Sequence, residues 1–336
     1  MTYKLVSHRL SRRKFISNST LGAIAASSAA STQAATSPEA PAPAPGSAPT
    51  GALPKGKLGD LEITRLILGA NIITHHIHAR DLNFVRTLGR HYNTDEKVLE
   101  TFKEAEAQGI TAFMTHHEER VVKLFKKYRD EMGGKLSWIC APSPADAKDV
   151  DGFTRIVQTL VDHGVDALYV HGATTDPLVH KGKFDQVAKF VDILKATTLP
   201  CGVGMHNIAS LKACEAAKIP CDFYLKTFHH LKYASAPRPE QIDHTTPWAA
   251  AETPNGYWCA QPEETAALMA GVKQQWIAFK VMAAGAIPPQ NAFDYAFKNG
   301  ADFILAGMFD FEIAEDVQTA KNVLGRIKDR ARPWRG

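Results

Sequence analysis

Three signatures are missing from this chain of 336 residues: a glycine-rich GxGxxG turn, a CxxC pair and an HExxH helix. The first absence removes the usual dinucleotide fingerprint of a doubly wound sheet; the others remove common redox and zinc motifs. Cysteine is scarce as well. Cys140, Cys201, Cys214, Cys221 and Cys259 are odd in number and irregularly spaced, which argues against a disulfide scaffold. No run of eighteen or more apolar residues occurs after the leader, so no membrane span is expected after processing. Charge of one sign is also in short supply. The formal net charge is +4, with much of the excess at the two ends, and no nucleic-acid surface is read from it. What remains, 45% hydrophobic and 22% charged, is ordinary for a globular chain long enough for one large domain.

The N-terminus is distinctive. SRRKFI (Ser11 to Ile16) precedes the weakly apolar LGAIAASSAAS and the small-residue tail STQAATS. The paired arginines, the Phe and the tail resemble a twin-arginine export signal in the right order. Cleavage is expected near Ala34 or Ala35, giving a signal over 1–35. Residues 36–54 are Pro/Ala-rich and read as a linker, so the folded domain is expected over 55–336. The twin-arginine route carries folded proteins, often with a cofactor already loaded. The implied partner is that export machinery and the implied location periplasmic or secreted.

From Arg65 onward, strand and helix patterns alternate. Strand-like apolar runs lie at 64–71, 110–115, 135–142, 166–172, 201–206, 221–228, 276–285 and 301–309. Helical patterns lie at 94–109, 121–134, 152–164, 183–197, 208–219, 262–274, 289–300 and 313–329. Thr94 reads as an N-cap and Gly109 as a terminator. Near-continuous apolar strands are those of a buried parallel sheet. Eight of each predict an α/β fold of the (β/α)8 TIM-barrel type, a single domain preceded by a short N-terminal hairpin. An open doubly wound sheet is the alternative, and it lacks its Gly-rich turn here. The segment from about 229 to 260 is long and rich in Pro, His and Trp, as functional or lid-like loops are.

Barrel active sites lie at the C-terminal strand ends. Of fourteen histidines, nine fall at those predicted ends: His75, His76, His78, His116, His117, His171, His206, His229 and His230. Acids and amines join them in Glu118, Glu119, Asp176, Lys226, Lys280 and Asp310. Strand parity directs Met114 and His116 inward if Phe113 faces the helices, and pairs Tyr169 with His171 on the inner face. Imidazole with carboxylate suits zinc, manganese or iron, so His116, His171 and His206 are candidate metal ligands, with His76 and Glu118 in reserve. Lys280, Lys226, Glu118 and His171 are candidate acid–base groups, because lysine in a buried strand is costly unless paired or functional. Gly285 and Gly307 are placed like the glycines of a barrel phosphate corner and are candidate cofactor contacts.

LPKGKLGDLEITRLILGAN, EAEAQGITAFMT, DALYVHG and GADFILAG resemble segments of the aldo/keto reductases at pattern level, over most of the chain after the leader. That resemblance implies a barrel with an opening hairpin, an NAD(P) cofactor and a reactive set of aspartate, tyrosine, lysine and histidine. Only the histidine carries over, to His171. Met114 stands where the aspartate ends strand two, the tyrosine is absent from THHEERVV, and WICAP stands where the lysine ends strand three. Exported barrel proteins of environmental bacteria are similar too. The residues alone therefore favour an exported enzyme acting on a small polar, carbohydrate-derived substrate by metal-assisted or His/Lys hydrolysis, elimination or isomerisation. An NAD(P)-linked oxidoreductase with tightly held cofactor is the alternative, and a non-catalytic binding barrel the third. Replacing Arg12 and Arg13 together by Lys is expected to hold the precursor in the cytoplasm. Immunoblots of periplasmic and cytoplasmic fractions check this, and normal export of the double variant would refute the leader.

Overall fold

The computed structural model describes residues 51–80, 82–242, 246 and 259–336. The expected signal over 1–35, most of the linker, and much of the long segment after residue 242 lie outside the described residues. The first two strands, β1 (Lys55–Leu58) and β2 (Leu61–Thr64), form an antiparallel hairpin with Lys55 opposite Thr64. Leu58 and Ile63 are fully buried in one cluster with Ile67 and Phe303, so the hairpin plugs one end of the barrel.

Eight strands then close on themselves: β3 (Leu66–Gly69), β4 (Ala112–His116), β5 (Ser137–Ala141), β6 (Ala167–Val170), β7 (Cys201–Met205), β8 (Phe223–Thr227), β9 (Gln275–Phe279) and β10 (Phe303–Ala306). Each pairs in parallel with its sequence neighbour, and β10 returns to β3 with Ile304 opposite Leu66. This is the expected (β/α)8 barrel. Closure leaves no sheet edge unpaired.

Side-chain alternation splits the apolar residues into two layers. Met114, Ile139, Tyr169, Leu225 and Ile277 fill the barrel interior. Phe113, Trp138, Leu168, Val170 and Trp276 face the helices. The parity read for Phe113, Met114, Leu168, Tyr169 and Val170 is thus the observed one. A side chain at Gly202 on β7 would collide with the Phe223 ring, so glycine there lets that ring fill the interior.

Ten α-helices are found among the described residues: α1 (Asn83–Tyr92), α2 (Asp95–Ala107), α3 (Glu119–Lys126), α4 (Val150–Asp162), α5 (Gly172–His180), α6 (Phe184–Ala196), α7 (Ile208–Ala216), α8 (Pro262–Gly271), α9 (Pro289–Lys298) and α10 (Asp310–Arg326). None is long and apolar enough to cross a membrane. Thr94 caps α2 by accepting from the Lys97 N–H, as its sequence position implies. Strict alternation fails twice. α1 precedes α2 with no strand between them and buries only Gly89, and α5 contains Pro177, which reads as a breaker. Strand seven is also shorter than its apolar run. β9 stops at Phe279, and Lys280, Ala283 and Ala284 take left-handed backbone conformations in the turn beyond it. Lys280 therefore lies past the strand rather than within it.

At the hairpin end, the buried carboxylate of Asp302 accepts from Arg332 at 3.0 Å and from the Trp276 and Arg335 N–H groups at 2.9 Å. Arg65 donates to the Asp302 carbonyl at 3.0 Å and stacks on Trp334. These contacts tie the C-terminal tail to the barrel. Removing the acid strands buried cations, so Asp302→Ala is expected to cost about 3–5 kcal/mol. Urea melts of the two proteins measure it; a loss below about 1 kcal/mol would mean the tail is not held this way.

Candidate active site

FMTHHEER carries β4 to its end at His116 and runs into α3, and its two histidines and two glutamates take four different roles. His116 continues the inward parity of Met114. Its ring meets His76 at 5.1 Å and His171 at 5.3 Å between centroids, both edge to face. Burial, then the neighbouring His76 and His117, lower its pKa to about 4. His117 instead donates Nδ1–H to Asp146 at 2.9 Å. Glu118 caps α3, accepting from the N–H groups of Arg120 (3.3 Å) and Val121 (3.0 Å). Glu119 is exposed and faces Lys123. Glu118 was a candidate acid–base group; its oxygens serve the helix start instead.

His171 and His206 carry the most informative geometry. His171 is the N-cap of α5, and its Nδ1 accepts the Ala173 N–H at 3.1 Å. A nitrogen that accepts holds no proton, so the neutral ring keeps its proton on Nε2. Burial, followed by His116, His206 and Lys280, holds this imidazole well below the usual range and hence neutral. His206 follows β7 and has the opposite polarity. Its Nδ1 donates to Asp176 at 2.8 Å, leaving the lone pair on Nε2. Asp176 also accepts from the His206 N–H (2.7 Å), the Asn207 N–H (3.2 Å) and Ser210 Oγ (2.6 Å). Burial raises the Asp176 pKa to about 7 against these donors. A cleft of about 380 Å³ borders this carboxylate, lined also by Asn207, Ser210, Lys212 and Gln261. A Cβ on Gly172 would come within 2.8 Å of His206 Cε1, so glycine at the start of α5 is what lets His206 lie so near.

The two lysines differ. Lys226 is fully buried and donates to the His206 carbonyl (2.7 Å), the Thr227 carbonyl (3.0 Å) and Thr227 Oγ1 (3.4 Å). Three acceptors use its three donors, so it braces the ends of β7 and β8 rather than moving protons. Lys280 is only partly buried and lies 2.9 Å from His78 Nε2. Sequence reading placed His78 on the rim without giving it a task; its spacing of two from His76 was the available signal. Beyond β8, His229 donates to the His230 carbonyl and accepts the Cys259 N–H, so it joins the end of β8 to the residues just before α8. The phenol inside the barrel, Tyr169, donates to the Thr115 carbonyl at 2.9 Å.

Two expectations need correction. Among the described residues, no group of three or more His, Cys, Asp or Glu is placed to hold a metal ion. His76, His116 and His171 do gather. Their rings meet edge to face, His76 Nδ1 engages Thr74 Oγ1, and the Nδ1 atoms of His171 and His206 are spent on Ala173 and Asp176. Nor does the corner after strand eight fit a phosphate. Gly285 lies in the turn after β9 with φ +83°, and Gly307 packs beneath Ile72. The first turn of α10 carries Asp310 and Glu312, and Glu312 accepts from the Phe309 N–H at 3.3 Å. Carboxylates there repel the anion that a helix N-terminus would otherwise attract.

Neither a protein-family model nor a curated protein matches the chain. Solved structures do. A Pseudomonas aeruginosa protein whose name assigns it to the aldo-keto reductases superposes with a TM-score of 0.50 at 17% identity, covering 81% of this chain and 94% of its own. Gox0644 in its apo form superposes at 0.51 with 11% identity, covering 84% and 99%. The chain has an aldo-keto reductase-like barrel. At these identities the likeness establishes the fold. A structure that the chain superposes on carries a reductase name, so the first functional expectation, hydrolysis, elimination or isomerisation, is withdrawn.

The neutral imidazoles leave a mark on stability. His116 titrates near 4 in the folded chain and near its ordinary 6.5 when unfolded. Between those values the unfolded chain binds a proton that the folded chain does not, so stability falls as pH drops from about 6.5 to about 4. His116→Asn is expected to flatten that acid limb, measured by urea midpoints across the window. An unchanged slope would mean His116 is charged in the folded protein.

Proposed function

We propose that the chain is an oxidoreductase that interconverts a small carbonyl compound and its alcohol, with NAD(P) as hydride partner. The observation that carries this reading is His171. It stands at the end of barrel strand four, where the resemblance puts the reductase histidine, with its proton held on Nε2 by the Ala173 N–H. A neutral imidazole N–H over an apolar floor is a hydrogen-bond donor for a carbonyl oxygen. It strengthens as that oxygen becomes an alkoxide, which is where stabilisation speeds the reaction. His116 and His76 form a neutral wall beside it. Asp176 holds His206 in one tautomer, as the acid of a hydrolase triad holds its histidine.

A nicotinamide, when bound, supplies the hydride to the carbonyl carbon. The mouth fits the reacting end of such a pair, since it offers neutral donors rather than carboxylates. The corner after strand eight does not fit the cofactor's phosphates, because Asp310 and Glu312 stand there. The aspartate, tyrosine and lysine of the reductase set have no counterparts, so His171 takes the oxygen-binding role alone. The paired Arg12 and Arg13 support a periplasmic site of action, with a cofactor acquired before export.

Purified protein should quench or enhance reduced-nicotinamide fluorescence and oxidise the cofactor when small hydroxyaldehydes are added. His171→Asn should lower kcat by at least about a hundredfold with the cofactor still bound. Absence of cofactor binding at millimolar concentration, or a His171→Asn variant with full activity, would reject the reading.

A further inference from the structure

The oxidoreductase reading leaves Lys280 without a task. Its placement is unusual on three counts. It follows directly on β9, so its side chain starts from a strand end at the mouth. Its backbone has φ +56°, in the left-handed region that non-glycine residues adopt only at a cost. Glycine would fill this position with less strain, so the lysine side chain is what the strained position presents. Third, its amine lies against imidazole and aromatic rings. Nζ is 2.9 Å from His78 Nε2 and 5.9 Å from the centroid of Phe279, and it is near enough to His171 and His206 to depress their basicity.

The contrast with Lys226 sharpens the point. Burial lowers the pKa of both Lys226 and Lys280, that of Lys280 strongly. Desolvation favours the neutral form, in which the nitrogen lone pair can attack. Lys226 spends its donors on two backbone carbonyls and a hydroxyl and is sealed from solvent. Lys280 is partly accessible, and one group it meets, at 2.9 Å, is an imidazole, able to take a proton.

We propose that Lys280 is a nucleophile that captures small aldehydes and ketones reversibly as an imine. The Nζ lone pair adds to the carbonyl carbon and the C=O π bond breaks, giving a carbinolamine. His78 relays the protons that nitrogen gives up, and the Nε2–H of His171 supports the oxygen as it becomes hydroxyl. That oxygen then leaves as water, carrying both former amine protons. Amine plus carbonyl becomes imine plus water, with no oxidant or reductant. Capture needs no nicotinamide, so it stands or falls separately from hydride transfer.

The test uses the full chain, glycolaldehyde as probe and cyanoborohydride to reduce any imine to a stable secondary amine, without nicotinamide. Peptide mapping by mass spectrometry should find Lys280 alkylated about tenfold faster than the exposed Lys57 and Lys103, with Lys226 unmodified. K280R should abolish the fast adduct while keeping the melting temperature, and His78→Phe should slow it. Labelling of Lys280 no faster than Lys57 and Lys103 overturns the proposal, and so does a fast adduct that survives K280R. The comparison of rates within the wild-type chain decides the matter even if K280R does not fold.

Discussion

Met114, Ile139, Tyr169, Leu225 and Ile277 plug the barrel, so the polar groups on the strand ends belong to a chain whose interior is closed to water. Every chemical property of the mouth follows from that floor. Where water cannot solvate charge, imidazoles and amines favour their neutral forms, and His116, His171, His206 and Lys280 are all shifted in that direction. Mutual proximity reinforces the effect, because each potential cation opposes its neighbours. A mouth of neutral donors and lone pairs suits carbonyl chemistry. It would suit a dinucleotide's phosphates poorly, and the acidic start of α10 adds to that mismatch.

Neutrality alone would leave each ring free to place its proton on either nitrogen. Backbone geometry removes that freedom. The first turn of α5 presents the Ala173 N–H to His171, and Asp176 of the same helix accepts from His206. One helix start thus sets two tautomers of opposite sense. Asp176 in turn is held by Ser210 and by the backbone around His206, so α5 and α7 are coupled through one carboxylate. Gly172 makes the close approach possible by leaving its Cβ position to the His206 ring.

Much of this was legible in the residues. AFMTH and ALYV are buried on both faces, with Met114 and Tyr169 in the interior layer and Phe113, Leu168 and Val170 in the layer under the helices, an alternation that any strand imposes, so the inward course of Met114, His116 and Tyr169 could be read before any coordinate. The barrel was legible because eight apolar runs alternating with eight amphipathic segments have few ways to bury both faces of a sheet. Helix α5 was not, because Gly172, Pro177 and three residues of low helix propensity mask a segment whose order comes from packing against β7 and α6. Glu118 looked catalytic for the same reason that it caps: a carboxylate just before a helix serves both purposes in sequence, and only the Arg120 and Val121 N–H groups decide between them.

The sequence by itself determined which residues of a strand share a face, that strands and helices follow one another in barrel order, and that histidine collects near the strand ends, because these depend on the order of residues along the chain. Tertiary structure alone decided which nitrogen of His171 and of His206 carries the proton, and that Lys226 is saturated while Lys280 faces His78. Those depend on hydrogen-bond partners between 1 and 202 residues away in the chain. A hydrogen bond fails over a few tenths of an ångström and a few tens of degrees, a tolerance that no pattern of residue types encodes.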